Sequence, residues 1–463
     1  MRAAFRRLIH PLPWLVASVA GCAFGDNATP LDDSVPTDAV AAPDAPSLAP
    51  PPGKCPHPSW CPTPSTDWTR DLLATDLHID LASLRGSAEV TFVPSITSTG
   101  LSLDVHGLVV RDVRGPLGPL QYAITDGRLD VGVPLGTVSM QIDYDFTLHD
   151  EFDGYMSQGM TFLWPYFCGN LFPCKPETAD GVAFTLDVTG VPEGEVAVYP
   201  RAIPWEAPSY MIALAHGDYA KMDVGVSKGG TRLVAWHLPG REALTKAVTA
   251  SLPAAFSFFE ETYGPYVFGE EAGPVEVAWP SPFGGMEHHP LWHVGAGSWN
   301  NWLTHIHEAA HGWFGNGVRM RCWEDFVLSE GSANYLAARA VEVAMGQSFA
   351  DLVWSSYQRR LDVIVSTPGF DTIAWPDTCN QIDLLHHPLW SSVPYIKGAF
   401  FLRAVEQRVG RAAFDRALAV FYIWHVGKAA SMGDLIHTME WLTGAELDDL
   451  VQGWLKSLGA PPH

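Results

Sequence analysis

Positive charge is scarce in this sequence. Its 463 residues include 28 lysines and arginines against 51 aspartates and glutamates, which gives a formal net charge of -23 at pH 7. Proteins that bind nucleic acid present a basic face to the phosphates, so this balance argues against nucleic acid as a partner. The acidic excess favours solubility and attraction of cationic substrates, such as the ammonium group of a peptide.

The N-terminal apolar stretch is too short to cross a membrane, for which a helix needs about 20 residues. This stretch, Leu8–Gly21, follows three arginines and is interrupted by a histidine and two prolines. The pattern predicts a secretory signal over residues 1–21. The four residues 19–22, Val-Ala-Gly-Cys, resemble the lipobox of bacterial lipoproteins, in which the cysteine is acylated.

This resemblance predicts that Cys22 carries a lipid anchor, which is stable because it holds more than one acyl chain. The protein would then lie outside the cytoplasm, attached to the lipid bilayer of a bacterial membrane. Plain secretion with an incidental Cys22 is the alternative.

Cysteine is sparse, with seven residues in the chain. Apart from Cys22, six remain, an even number that is typical of disulfide pairing in an oxidising compartment. Sequence alone allows fifteen pairings of six cysteines. The short spacings favour two of the bridges, and the remaining two cysteines would form the third: Cys55–Cys61, Cys168–Cys174 and Cys322–Cys379.

Composition divides the rest of the chain into three parts. Residues 22–66 are rich in proline, alanine and aspartate, which predicts an unfolded tether. Residues 67–240 contain short alternating apolar runs separated by glycine and proline, which predicts an antiparallel β domain. Helical patterns with caps and glycine stops dominate residues 241–463. The predicted fold class is therefore α+β.

The motif HExxH occurs once, as His307-Glu308-Ala309-Ala310-His311, and Glu330 follows after eighteen residues. On a helix, residues i and i+4 share a face, so both imidazoles can bind one ion. Catalytic zinc sites use three protein ligands and an open position, and Glu308 could act as general base. Ser329 is predicted to cap the helix that carries Glu330 in its first turn. The alternative is a core helix with two incidental histidines.

Four further segments follow a recognisable pattern: Phe172-Pro173-Cys174 (F-P-C), residues 284–288 (G-[AG]-M-E-N), residues 323–331 (W-x-D-x-W-L-x-E-G) and residues 391–399. Together they resemble the aminopeptidase N / leukotriene hydrolase family of gluzincin peptidases, in which the segment similar to 391–399 carries the catalytic tyrosine. The resemblance implies a saddle-like β-sandwich domain followed by a thermolysin-like, mainly helical peptidase domain. It implies a zinc aminopeptidase that acts on peptides with a free N-terminus.

The resemblance also implies a role for each matching residue. It gives one Zn²⁺ per chain bound by His307, His311 and Glu330; Glu308 as general base; Tyr395 as hydrogen-bond donor to the oxyanion; Glu287 as partner of the substrate's α-amine; and Gly284, Gly285 and Met286 as the strand that aligns the peptide.

The sequence departs from the family pattern in three places. His288 replaces the usual asparagine, and residues 164–168 replace a glutamine-bearing stretch that shapes the first substrate pocket. We also expect a short form that lacks the family's helical C-terminal domain. Two other functions therefore stay open: an endopeptidase or epoxide hydrolase on the same site, and a non-catalytic surface binding protein.

Some polar residues near the motif have no assigned role. Asp325 is predicted either to orient a ligand histidine or to be a solvated loop carboxylate, and Asn334, one helical turn after Glu330, is a weaker candidate for the orienting role. We expect His305 to be structural. The remaining histidines are expected to line the mouth of the cleft rather than to form a second metal cluster: His288, His289 and His293.

Overall fold

A computed structural model describes residues 62–279, 284–367 and 372–461. The predicted signal, Cys22, Cys55, Cys61 and almost all of the predicted tether lie outside the described residues. The first part of the described chain is built from strands β1 (Leu72–Asp80), β2 (Arg85–Phe92), β3 (Gly100–Asp104), β4 (Val109–Gly115), β5 (Gly118–Pro119), β6 (Tyr122–Thr125), β7 (Arg128–Gly132), β8 (Ser139–Asp145), β9 (Leu148–His149), β10 (Tyr155–Met156), β11 (Val182–Thr189), β12 (Val196–Val198), β13 (Ala202–Ala207) and β14 (Ala215–Gly217).

A seven-stranded sheet forms the centre of this first part, with the strand order β13-β11-β1-β2-β8-β4-β5. Its strands pair antiparallel except β1 and β11, which run parallel. Every second side chain of β2 is buried, including Val90 and Phe92. This alternation is why the sequence pattern predicts strands with one face toward a core.

The second part contains the remaining strands and all of the longer described helices. The strands are β15 (Ala220–Val226), β16 (Arg232–His237), β17 (Glu271–Val277), β18 (Gly285–Met286), β19 (Leu291–Gly295), β20 (Phe314–Gly315), β21 (Val318–Met320) and β22 (Lys428–Ala430). The helices are α1 (Glu242–Thr249), α2 (Leu252–Tyr263), α3 (Trp302–Ala310), α4 (Phe326–Met345), α5 (Gln347–Ser366), α6 (Ser392–Val409), α7 (Arg411–His425), α8 (Met432–Thr443) and α9 (Asp448–Leu450), which continues into a π-helical turn, Val451–Leu455.

The predicted α+β class is confirmed, with a strand-rich first part and a mainly helical second part. A five-stranded sheet has the order β15-β16-β17-β19-β18. Residue 240, the predicted domain boundary, therefore lies in a connection between two strands of one sheet. The change from the first set of sheets to this sheet comes earlier, between β14 and β15. Among the described helices, none combines the length and the apolar character that a bilayer crossing requires.

Helices α4 and α6 form the core of the second part. Glycines face each other at their crossing: a Cβ added to Gly331 would lie 2.7 Å from the Cα of Gly398. Side chains at either position would force the two helices apart. This close contact matters because α4 carries Glu330 and α6 carries Tyr395.

The two parts are joined by a buried arginine on β21. Arg319 is 3% exposed and donates to the main-chain oxygens of Ala179 and Glu206 and to the Glu206 carboxylate, at 3.0 to 3.3 Å. A guanidinium can make several such bonds at once, which suits it to an interface between domains. Nothing in the sequence pattern predicts this contact.

Two predicted disulfides are present in the described residues. Cys168 pairs with Cys174, and Cys322 pairs with Cys379 across 57 positions of sequence. The second bridge joins the loop before α4 to the loop that leads to α6. Both helices carry site residues, so this bridge restrains the segments that enter the site from either side.

Removal of the Cys322–Cys379 bridge should lower the free energy of unfolding by about 4 kcal/mol, because the closed loop is long. Removal of Cys168–Cys174, whose cysteines are 6 positions apart, should cost about 2 kcal/mol. Denaturant unfolding of the two double-serine variants measures both values. A larger loss from the short loop would show that native contacts, rather than loop length, determine the effect.

Candidate active site

Helix α3 presents three of the predicted site residues. The Asn301 side chain caps its N-terminus by accepting a hydrogen bond from the main-chain nitrogen of Leu303 at 3.1 Å. His307 and Glu308 lie within the helix, and His311 follows its last residue while still in helical conformation. The apolar side chains of this helix pack on the core, so all three polar side chains are buried as well.

Glu330 on α4 meets the two histidines. Its Oε2 atom lies 3.2 Å from Nε2 of His307 and 3.5 Å from Nε2 of His311, and the two nitrogens are 3.2 Å apart. All three side chains are 2% or less exposed. Helix α4 begins at Phe326, so the prediction that Ser329 caps it is wrong and Glu330 lies in its second turn.

This group fits a divalent metal ion. Two imidazole nitrogens and a carboxylate oxygen lie within 4.8 Å of one another, and Glu330 Oε2 has no hydrogen-bond donor among the described residues. The electron-rich atoms need a shared cation, and two histidines with one carboxylate are a typical zinc ligand set. Burial raises the pKa of Glu330, but its contacts with the histidines outweigh burial and lower the pKa to about 2.

The second nitrogen of His311 is also fixed. Its Nδ1 lies 3.0 Å from the Phe314 main-chain oxygen and 3.3 Å from the Ser329 hydroxyl. The carbonyl can only accept, so Nδ1 carries the hydrogen and the lone pair of Nε2 points to the metal site. Ser329 therefore contacts a ligand instead of capping a helix.

The Glu308 carboxylate lies beside this group and is 0% exposed. Neither of its oxygens accepts a hydrogen bond from any described residue. Burial raises its pKa well above the usual value for glutamate. A carboxylate left in this state is suited to bind and deprotonate a water molecule.

The predicted peptide-aligning segment passes directly over Glu308. Gly285 and Met286 form β18, which stands at one edge of the five-stranded sheet and pairs antiparallel with β19. A Cβ on Gly285 would lie 2.4 Å from Oε1 of Glu308, so glycine allows this close approach. Gly284 precedes the strand and its main-chain oxygen accepts from Gly295 at 3.0 Å.

Glu287 follows this strand and is 1% exposed. One of its carboxylate oxygens lies within 4.8 Å of ligand atoms of Glu308 and His311. Burial raises its pKa to about 7; His311 opposes this shift, and the negative charge of Glu330 adds to it. Asn316 donates to the main-chain oxygen of Glu287 at 2.5 Å.

Tyr395 reaches the same site from α6. It is 5% exposed, and its ring stacks on His307 with centroids 6.2 Å apart and planes at 22°. Phe326 also contacts the Tyr395 ring, in an edge-to-face arrangement with centroids 5.7 Å apart. The structure thus brings the predicted metal, acid–base and amine-binding residues into one buried site.

The structure also gives outcomes for Asp325 and His305, which lie near the motif. Asp325 contacts no ligand histidine: its carboxylate accepts from the Trp375 indole at 3.1 Å and from the main-chain nitrogen of Met432 at 2.8 Å. It is 3% exposed, so it is not a solvated loop residue either. His305 is structural as expected, with Nε2 bonded to the Trp299 oxygen at 2.8 Å.

The three histidines expected at the cleft mouth are instead buried, each 1% or less exposed. His289 bridges the Tyr266 hydroxyl and the main-chain oxygen of Glu308, both at 2.8 Å. His288 and His293 meet edge-on with ring centroids 4.9 Å apart. Within the described part of the chain, none of the three belongs to a group able to hold a metal.

Sequence reasoning missed two contributions from the first part of the chain. Tyr210 is buried near the site; burial raises its pKa, and so do the negative charges of Glu287 and Glu330. Trp164, in the segment that replaces the family's glutamine stretch, packs on Trp323, Trp390 and Phe326 at 5.5 to 6.1 Å. An aromatic wall therefore stands beside Tyr395, where the family pattern predicts amide groups.

The fold and the grouping of these side chains agree with the arrangement that the family resemblance implies. Residues 299–454 match the family described as "Peptidase family M1 domain". This match supports the resemblance to the aminopeptidase N / leukotriene hydrolase family that the sequence motifs indicate.

Among curated relatives, leucine aminopeptidase 2 of Emericella nidulans is 26% identical over 413 residues, which cover 78% of this chain and 64% of that protein. Leucine aminopeptidase 2 of Chaetomium globosum is 30% identical over 254 residues, which cover 52% of this chain and 40% of that protein. The chain therefore spans less than two thirds of the length of either relative.

Solved structures share the fold. The M1 zinc metallopeptidase from Deinococcus radiodurans has a TM-score of 0.71 at 22% identity, and the superposition covers 85% of this chain and 95% of that structure's chain. Yeast LTA4 hydrolase has a TM-score of 0.68 at 20% identity, and the superposition covers 85% of this chain and 69% of the hydrolase.

Proposed function

We propose that this protein is a zinc-dependent aminopeptidase. The observation that carries the proposal is the position of Glu287, which is buried beside Glu308 and His311 and follows the edge strand β18. His311 also belongs to the His307–His311–Glu330 group. A buried carboxylate near the reacting groups can bind an ammonium and so locate the first peptide bond. Support comes from relatives named leucine aminopeptidase and from a neighbouring structure whose name includes a bound Tyr-Ser-Ala substrate.

In this proposal a peptide lies along β18 and adds an extended strand to the sheet edge. A zinc ion held by His307, His311 and Glu330 would supply Lewis acidity toward the carbonyl oxygen and lower the pKa of the attacking water. Glu308 takes a proton from that water as the new C–O bond forms. It then gives the proton to the leaving nitrogen as the C–N bond breaks.

Two further residues complete the proposed mechanism. Tyr395 donates its hydroxyl hydrogen to the oxyanion that develops on the former carbonyl oxygen. Glu287 binds the α-ammonium, which places the first peptide bond, and no later one, against Glu308. The aromatic wall around Trp164 offers no charge to a side chain, so we expect apolar first residues to be preferred.

The test compares free-amine aminoacyl fluorophore amides with their N-acetylated twins on the purified protein. Cleavage confined to the free-amine set, and lost after zinc is removed with a chelator and dialysis, is the expected result. Equal cleavage of internal bonds in blocked peptides would identify an endopeptidase. No cleavage of either set with zinc bound would point to the epoxide hydrolase or to the binding protein.

We also propose that the protein is anchored outside the cytoplasm through an acylated Cys22. The basic, apolar and Val-Ala-Gly-Cys pattern of residues 1–22 supports this, and so do two disulfides, which form in oxidising compartments. On expression in a bacterial host, the parent should partition into detergent phase and the Cys22→Ser variant into water. Equal partition of the two would contradict the anchor.

A further inference from the structure

The two histidines of the metal site are held differently. His311 uses a main-chain oxygen as the acceptor for Nδ1. His307 is equally buried, but its Nδ1 makes no well-directed hydrogen bond with any described residue. A zinc-binding imidazole needs an acceptor at its second nitrogen, because this acceptor fixes the tautomer and the ring orientation.

Asn334 is the polar residue that meets this need. It lies one helical turn after Glu330 on α4, so both side chains project from the same face toward α3. It is 5% exposed. The Glu330 carboxylate lies 3.2 Å from Nε2 of His307, so a side chain one turn further along the same face of α4 is placed to reach the same ring.

The Asn334 amide is itself held from a third helix. The hydroxyl of Tyr357 on α5 lies 3.2 Å from Oδ1 and 3.3 Å from the main-chain oxygen of Asn334. Tyr357 is 4% exposed, so this contact is shielded from water. The hydroxyl is within hydrogen-bonding distance of both oxygens, so Tyr357 restrains the Asn334 side chain from helix α5.

We propose that Asn334, oriented by Tyr357, is a positioning residue for the zinc ligand His307. Oδ1 of Asn334 accepts the Nδ1 hydrogen, which leaves the lone pair of Nε2 directed at the metal. Helix α5, which contributes none of the predicted ligands, thereby supports the metal site through one hydroxyl. The inference rests on the zinc assignment and is independent of which bond the enzyme cleaves.

The experiment measures the zinc dissociation constant by competition with a chelator, with no peptide present. Asn334→Leu keeps the approximate shape and removes the acceptor, so zinc binding should weaken about 10- to 100-fold. Asn334→Asp keeps an acceptor and should bind zinc at least as tightly as the parent. Tyr357→Phe leaves Asn334 in place but unsupported, so a several-fold loss is expected.

Asn170→Leu is the matched control. Asn170 is similarly buried, at 6% exposed, and its amide bonds to the Asp153 main-chain oxygen in the first part of the chain. Its loss removes a buried amide without touching the metal site, so zinc affinity should stay at the parent value. Zinc affinity of Asn334→Leu within about twofold of that control would overturn the proposal.

A second variant covers the case in which Asn334→Leu does not fold. Tyr357→Phe loses one hydroxyl and keeps the ring, which packs edge-on against Trp354 at 5.6 Å. Unchanged zinc affinity in this variant, with zinc-free thermal stability near the parent's, would also overturn the proposal. Because no step uses a substrate, failure here leaves the aminopeptidase proposal to be judged by its own test.

Discussion

Replacement of Glu308 with glutamine should lower kcat by about 10³-fold while the protein still binds one zinc ion. The amide has the size of the carboxylate but cannot accept a proton from water. Glu308 is 0% exposed, and no described group bonds to its oxygens, so a neighbouring base has no direct contact through which to replace it. The measurement is turnover of a free-amine aminoacyl amide beside the metal content of the same sample.

Glu276→Gln provides the control for this variant. Glu276 is also 0% exposed, but it lies in β17 and pairs with Arg241 at 2.8 Å. Its replacement should reduce stability and leave the kcat of the folded protein near the parent value. Retention of more than a tenth of the activity in Glu308→Gln would remove Glu308 from the proposed base role.

Two of the three candidate zinc ligands could be predicted from the sequence because their geometry is local. His307 and His311 are one helical turn apart, and a single helix fixes their relation. The position of Glu330 could not be predicted from spacing alone, because it depends on the packing of α4 against α3. The family resemblance predicted that Glu330 joins the two histidines. The same holds for Tyr395, whose distance from the site is set by the glycine contact between α4 and α6.

Polar contacts between distant segments could not be predicted. The Tyr357–Asn334 contact joins two helices, and Arg319 joins two parts of the chain more than a hundred residues apart. Asp325 illustrates the opposite error. It stands in a 3-10 turn before α4, and that turn directs its carboxylate toward the start of α8 instead of toward α3.

The buried charges explain why the site suits a cation. Glu287, Glu308 and Glu330 are each 2% or less exposed, and burial acts to raise the pKa of all three. Uncompensated carboxylates this close together are costly in a folded protein. A zinc ion offsets part of this cost, and a substrate ammonium offsets more. Metal removal should therefore destabilise the protein as well as inactivate it.

Replacement of Glu287 with glutamine should lower kcat/KM for free-amine substrates by about 10²- to 10³-fold, because a buried ammonium would lose its partner. Turnover of N-acetylated twins, which carry no ammonium, should stay at its low parent level. The ratio between the two substrate classes is therefore the informative quantity, measured with the same fluorophore amides and with zinc content checked in each sample.

The ratio of kcat/KM between free-amine and N-acetylated substrates distinguishes a loss of amine binding from damage to the metal site. Glu287 lies within 4.8 Å of His311, so a variant that merely disturbed the metal site would depress both substrate classes together. A fall in both classes with reduced zinc content would assign Glu287 to the metal site, and an unchanged ratio with zinc in place would mean that the amine binds elsewhere. Loss of the preference for free-amine substrates alone would show that the Glu287 carboxylate selects the first peptide bond. The hydrolytic groups themselves cannot distinguish the first peptide bond from the next, so this selection requires a group that binds the N-terminal amine.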